Sequence, residues 1–194
     1  MEIIALETIT AQEYLRLERT TTREEYGKFE FINNELIEMA GASLEHNRIF
    51  TNLLVFLANL LEDDGFSVLG SDQRIVNLMT DSYCYPDISV TQSEIQFLDN
   101  EFDTITNPIL LIEIESPSSI YKDNFLKLEV YKSIPSVKEY IIVSQDKIHI
   151  RHYKKIAENH WEFFDYNSKE ETIEMLDNHF KLPIASIYKK TGLV

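Results

Sequence analysis

Tyr85-Pro86-Asp87-Ile88-Ser89-Val90 and Pro108-Ile109-Leu110-Leu111-Ile112-Glu113-Ile114-Glu115 are the two stretches on which the reading of this chain turns. The second is an aliphatic run with the pattern of a strand covered on both faces, yet it ends in two carboxylates one residue apart. Side chains alternate along a strand, so Glu113 and Glu115 share a face. Burying a carboxylate at the end of so apolar a strand is costly unless a positive charge meets it. Asp87, following Pro86 on a short neighbouring strand, can bring a third oxygen donor to the same place. Carboxylates grouped this way suit a hard divalent cation such as Mg²⁺, which takes one or two of them and completes its shell with water and phosphate oxygens.

Toward the N-terminus, Thr10 caps a short helix over Ala11-Gln12-Glu13-Tyr14-Leu15-Arg16-Leu17, with Glu13 closing a capping box. Lys28-Phe29-Glu30-Phe31-Ile32 and Leu36-Ile37-Glu38-Met39 flank Asn33-Asn34-Glu35 and predict a β-hairpin. Glu30 points away from Phe29 and Phe31, and on this pattern alone it is a surface acid. Ser43 caps a long helix in which Phe50, Leu53, Leu57, Leu60 and Leu61 recur at helical spacing until Asp63-Asp64-Gly65 ends it. His46 lies four residues before Phe50 in the first turn, so it faces the core near the acidic edge. It reads either as a hydrogen-bonded structural histidine or as a contact to a phosphate or an acid. Phe66-Ser67-Val68-Leu69, Gln73-Arg74-Ile75-Val76 and Tyr83 to Val90 predict a strand meander leading to Asp87. Gln92 to Asn107 reads as a loop.

Beyond the central strand, Ser116-Pro117-Ser118-Ser119 breaks the sheet and leads into a helix with Leu126, Lys127, Leu128, Val130 and Tyr131. By itself Lys127 reads as a solvent-exposed helix lysine. Val137 to Val143 and Lys147 to Tyr153 predict two more strands extending the sheet. On the second of these His149 and His152 have opposite parity and read as surface residues rather than as a metal pair. Trp161, Phe163 and Phe164 read as core- or dimer-packing residues in preference to base-stacking ones.

The 194 residues are 44% hydrophobic and 11% aromatic, with no repeat, linker or low-complexity tract, which predicts one globular domain over 1–194. No apolar run reaches membrane-span length and Met1-Glu2-Ile3-Ile4-Ala5 lacks the basic start of a secretory signal, so a cytoplasmic protein without membrane contact is expected. One cysteine, Cys84, excludes an internal disulfide and reads as a small buried hydrophobe. With 33 acidic and 18 basic residues the net charge is -15, which opposes tight nonspecific binding to nucleic acid. The opposition is lifted where basic residues or bound metal line one cleft.

Several segments occur together in one order: Phe29-Glu30-Phe31-Ile32-Asn33-Asn34-Glu35-Leu36, Ser43-Leu44-Glu45-His46, Tyr85-Pro86-Asp87, Glu113-Ile114-Glu115-Ser116-Pro117-Ser118, Lys127-Leu128-Glu129-Val130-Tyr131 and Lys138-Glu139-Tyr140. In this the chain resembles the Uma-two family of restriction-endonuclease-like proteins within the PD-(D/E)xK nuclease superfamily, from about Thr10 to Tyr188. The resemblance implies an α/β (mixed α+β) restriction-endonuclease-like fold, with a mixed central β-sheet flanked by helices. It implies a metal-dependent DNA endonuclease that uses Mg²⁺ or Mn²⁺ at Asp87 and Glu113 and acts as a homodimer on DNA. Glu30 becomes an accessory acid of the site, and His46 and Gln73 become substrate contacts. The simplest superfamily motif has lysine two residues after the strand acid, where this chain has Glu115; the resemblance implies that Lys127 on the following helix replaces it. Glu115 is then a further metal ligand or an acid held by Lys127. Two other readings fit the acidic charge: a nuclease-fold interaction module without cleavage, and a hydrolase of small phosphoesters or nucleotides.

Overall fold

The structure, a computed structural model, describes residues 9–22, 24, 27–39, 41–92 and 94–193. Met1-Glu2-Ile3-Ile4-Ala5, read above for a secretory signal, lies outside them. Helix α1 (Ala11–Thr20) starts at the predicted capping box, with Glu13 N–H donating to Thr10 Oγ1 at 3.2 Å and Thr10 N–H to the Glu13 carboxylate at 2.8 Å. Strands β1 (Phe29–Ile32) and β2 (Glu35–Glu38) form the predicted hairpin. Asn33 and Asn34 both take positive φ, 54° and 65°, in the two-residue turn that matches strand twist. Helix α2 (Leu44–Leu61) begins where Ser43 accepts the His46 N–H at 3.1 Å. Its buried stripe is Ile49, Leu53, Leu57 and Leu61, with the expected Phe50 and Leu60 flanking it half-buried.

Strands β3 (Phe66–Leu69), β4 (Arg74–Asn77), β5 (Ser82–Cys84) and β6 (Ile88–Gln92) correct the predicted meander. β3 pairs with β6, whereas β4 pairs with β5 in a different sheet. Between β3 and β6 the chain changes sheets twice. At the first crossing a Cβ on Gly70 would sit 3.3 Å from the Phe50 ring, so the backbone passes closer to α2 than a side chain permits without displacing that ring. At the second, Pro86 has no N–H to give a ladder, so Tyr83 to Val90 is two strands rather than one. The loop after β6 carries only the two-residue β7 (Thr104–Ile105), parallel to β4.

Strand β8 (Pro108–Glu115) is buried along its whole length. A π-helical turn (Lys122–Leu126) then runs into α3 (Lys127–Ser133). Strands β9 (Glu139–Ser144), β10 (Ile150–Ala157) and β11 (His160–Tyr166) follow, then the ribbon β12 (Thr172–Met175) and β13 (Phe180–Pro183), and α4 (Ile184–Ile187). A six-stranded sheet has the order β11-β10-β9-β8-β6-β3, parallel only between β8 and β9, and a five-stranded sheet has the order β2-β1-β5-β4-β7. The mixed α+β class therefore stands, with the strands divided between two mixed sheets and the separate β12-β13 ribbon.

The alternation of β8 sorts its side chains between two cores. Leu110, Ile112 and Ile114 pack with the α2 stripe and α4, whereas Leu111 packs with Val130 and Tyr131 of α3, with Ile134 just after it, and with Ile32, Ile75 and Cys84 of the five-stranded sheet. Glu113 and Glu115 share the parity of Leu111, so they face α3 and the second sheet. Cys84 is a buried core residue, as expected. His152 is not on the surface: β10 lies inside the sheet, and the ring is fully buried with Nε2 3.0 Å from Glu139 Oε2. His149 is also partly covered, 2.6 Å from Asp165. Among the described residues no helix is long and apolar enough to cross a membrane.

Leu57 is fully buried against the sheet, so Leu57→Ala is expected to lower unfolding free energy by about 2–5 kcal/mol. Val55→Ala, on the exposed side of the same helix, is expected to change it by less than about 0.5 kcal/mol. Urea denaturation of the two variants beside the wild type checks both.

Candidate active site

The face of β8 that carries Glu113 meets a lysine that reaches back from the next helix. Lys127 is almost completely buried, with Nζ 2.8 Å from Glu113 Oε1 and 2.7 Å from Glu30 Oε1, and 4.0 Å from Asp123 Oδ1. The expectations for Glu30 and Lys127 from the segment pattern alone, a surface acid and a solvated lysine, are both overturned by this contact. Glu30 is buried because β1 packs its polar side against the helix rather than against water. Its Oε1 also accepts the Tyr85 N–H at 2.9 Å, and Lys122 Nζ lies 3.1 Å from Oε2.

The π turn lets two lysines reach one carboxylate. Residues five apart on an α-helix project about 140° away from each other. Here the Lys127 N–H donates to Lys122 O, so these two residues stand one wide turn apart and both side chains converge on Glu30. Tyr131, four residues beyond Lys127, donates its hydroxyl to Glu113 Oε1 at 2.6 Å. Asp123, Lys127 and Tyr131 thus form a buried polar stripe at four-residue spacing, a spacing already present in the sequence.

Asp87 immediately precedes β6, whose Ile88 pairs with Ile112, so its carboxylate stands beside Glu113. Oδ2 accepts the Ile114 N–H at 2.7 Å and lies 3.2 Å from His46 Nε2. His46 thus contacts an acid of the site, which reconciles its two expected roles. Its Nδ1 is buried without a hydrogen-bond partner. No protein group hydrogen-bonds to Asp87 Oδ1 or Glu113 Oε2 among the described residues.

The electrostatics follow from this layout. Burial alone would raise the Glu30 pKa, but Lys127 and Lys122 outweigh it and hold the carboxyl below its ordinary value. Burial raises Glu113, with Lys127 opposing and Asp123, Asp87 and Glu30 adding to the rise. The two acids move in opposite directions because Glu30 meets two ammonium groups whereas Glu113 shares one and faces three other acids. Asp123 is raised, chiefly by burial. Lys127 remains cationic, since Glu113 and Glu30 outweigh its own desolvation. Four carboxylates, Glu30, Asp87, Glu113 and Asp123, face two ammonium groups, a local excess of negative charge suited to a cation.

Among the described residues no three of His, Cys, Asp and Glu are grouped tightly enough to hold a metal unaided. Asp87 and Glu113, each with one oxygen free of protein hydrogen bonds, are the pair able to contribute to a hard cation whose other ligands are water and substrate. Glu115 is not held by Lys127. Its Oε1 takes Arg151 Nη2 and its Oε2 takes Asn124 Nδ2 at 2.8 Å, so both oxygens are occupied. Arg151 comes from β10, far along the chain, and no local pattern announces it. Gln73 stays apart from this cluster. Its backbone N–H donates to Gly70 O at 3.1 Å, its amide nitrogen is buried without a partner, and no hydrogen bond ties it to the acids.

A protein from Synechocystis sp., "Uncharacterized protein sll1609", is 35% identical over 161 residues, covering 83% of this chain and 89% of its own. A second from the same organism, "Uncharacterized protein slr1290", is 29% identical over 162 residues, covering 84% and 82%. The crystal structure of a "putative nuclease belonging to DUF820" from Anabaena variabilis superposes with a TM-score of 0.75 at 19% identity, over 94% of this chain and 99% of that one, so the fold is shared. The model of the Uma2 family, described as "Putative restriction endonuclease", matches residues 11–185, and this chain belongs to that family.

Proposed function

We propose that the chain is a metal-dependent DNA endonuclease of the PD-(D/E)xK type. The observation that carries the reading is the pairing of Asp87 and Glu113, each with a free oxygen, beside the buried ammonium of Lys127. When bound there, Mg²⁺ or Mn²⁺ supplies Lewis acidity toward the scissile phosphodiester. Ile114 N–H and His46 fix Asp87 by one oxygen and so orient the other. Lys127, anchored by Glu30, keeps a positive charge near the site where charge grows on the phosphate, and Tyr131 remains a neutral donor because burial raises its pKa well above the ordinary value. In the overall reaction water adds to phosphorus, the bond to the leaving oxygen breaks and that oxygen takes a proton.

A second reading, a nuclease-fold module without cleavage, draws on the two ion pairs that already occupy Lys127. The two readings separate on cleavage of supercoiled, linear and single-stranded DNA by purified protein in Mg²⁺ and in Mn²⁺. Asp87→Asn and Glu113→Gln keep side-chain shape and are expected to lower the cleavage rate by about 100-fold or more each. The same trace activity in wild type and both variants would leave the module reading standing.

Lys127→Met carries a separate expectation about stability. It leaves Glu113 without its ammonium and Glu30 with Lys122 as its remaining cation, at a cost of about 3–5 kcal/mol at neutral pH. In the wild type Glu30 has a lowered pKa, so its contribution is present above the unfolded carboxylate range and is lost as pH falls through the folded value. In the variant Glu113 has lost its cation and Glu30 one of two, so both ionise less readily and the deficit grows as pH rises through the unfolded carboxylate range. Urea denaturation from pH 4 to pH 8 is expected to show the two proteins converging at the acid end. Parallel curves would show that the ammonium does not serve as counterion to these acids.

A further inference from the structure

The turn that faces the acids with Asp123, Asn124 and Lys127 presents aromatic rings on its other side. Tyr121 and Phe125 are 66% and 59% exposed and stack on one another, with centroids 5.4 Å apart and planes at 28°. Phe125 of this pair lines a groove of about 560 Å³ between the π turn and β10, with Ile120 and Leu128 on its side, Arg151 and Tyr153 on the other, and Asn124 and Glu129 as its other polar residues. Across β10 the groove meets a second aromatic pair. Tyr153 and Phe163 lie 5.1 Å apart, and Phe163 is 53% exposed. Of the β11 aromatics expected in core or dimer packing, Trp161 packs half-buried against the core, whereas Phe163 and Phe164 are exposed on this chain.

The chemistry of this groove is specific. Arg151, Tyr153 and Lys155 alternate onto one face of β10, opposite Asp165, Phe163 and Trp161 of β11, so cations flank an aromatic row in a chain of net charge -15. Arg151 holds Glu115 through Nη2, while its Nε is buried with no partner. Asn124 and Arg151 both grip Glu115, two residues from Glu113 on the same strand face, so the groove opens beside the proposed site. Exposed rings side by side with interleaved cations suit nucleobases, whose faces stack on aromatics regardless of sequence. A closed duplex hides those faces and offers a dense phosphate surface that a strongly acidic chain repels.

We infer that the groove between the π turn and β10 stacks the bases of an unpaired DNA strand, which makes single-stranded or locally unpaired DNA the preferred ligand over closed duplex. Binding in the groove is independent of the nuclease reading, and only the identification of that ligand as the substrate rests on it.

The test is fluorescence anisotropy with a labelled mixed-sequence DNA oligonucleotide, as a single strand and annealed as a blunt duplex, with Ca²⁺ in place of Mg²⁺ to read binding without turnover. The single strand is expected to bind at least about tenfold more tightly than the duplex. The double variant Tyr121→Ala with Phe125→Ala, and separately Phe163→Ala on the other element, are expected to weaken it by about 5- to 100-fold with melting temperature unchanged. Equal or tighter duplex binding, or variant affinities within about twofold of wild type, overturns the inference. Tighter binding of the same sequence as RNA overturns the assignment to DNA. Variants that leave oligonucleotide affinity intact but turn a dimer into a monomer in sedimentation would make the groove a contact between copies, and overturn it as well. A wild type that binds the single strand through these aromatics but cleaves nothing in Mg²⁺ or Mn²⁺ removes the nuclease reading and keeps the groove. Single-strand cleavage undiminished in the aromatic variants does the reverse.

Discussion

The buried ammonium of Lys127 is the constraint on which the arrangement depends. Taking a lysine out of water costs several kcal/mol, and only close, well-aimed carboxylates offset it. Its two partners come from different sheets: Glu30 from the five-stranded sheet and Glu113 from the six-stranded one. Satisfying one cation therefore fixes how the sheets face each other and where α3 lies between them. Glu30 then fixes the crossing strand as well, since its Oε1 takes the Tyr85 N–H two residues before Asp87. A single buried charge thereby sets the spacing of groups far apart in sequence, which hydrophobic packing, being non-directional, cannot specify as tightly.

The π turn resolves a conflict between two demands on one short segment. Glu30 lies in a dry interior and needs more positive charge than one lysine gives while that lysine also serves Glu113. A regular helix would turn Lys122 to another side, whereas the wide turn brings it to Glu30 and keeps Asp123 and Asn124 facing inward. On the outer side Tyr121 and Phe125, four residues apart, stack on one another.

Local rules made much of this legible. The paired asparagines announced the hairpin, Ser43 the start of α2, and the alternation of β8 the common face of Glu113 and Glu115. The resemblance of scattered segments carried Lys127 and Glu30 inward, against the plain reading of each residue. Local rules failed where the decision was not local. The residues between β3 and β4 have ordinary turn chemistry, and only the pairing of β3 with the later β6 shows that the chain leaves the sheet there. His152 was read by its parity with His149, but its burial depends on both neighbouring strands and on the acid Glu139 opposite. Arg151 reached Glu115 across 36 residues, a pairing that no periodicity encodes.

That last contact explains why position 115 can be an acid at all. Positions 113 and 115 share a face, so a lysine at 115 would serve Glu113 directly and leave the helix only Glu30 to neutralise. With the cation delivered by α3 instead, position 115 is free, and a glutamate there recruits Arg151 from β10 and Asn124 from the π turn. These two residues belong to opposite walls of the aromatic groove. Glu115 thus ties the groove to the strand that carries Glu113, and moving the lysine from strand to helix is what makes this tie available. On the proposed reading, the departure at position 115 costs the site nothing electrostatically, and it fixes the surface beside the acids on which a strand can lie.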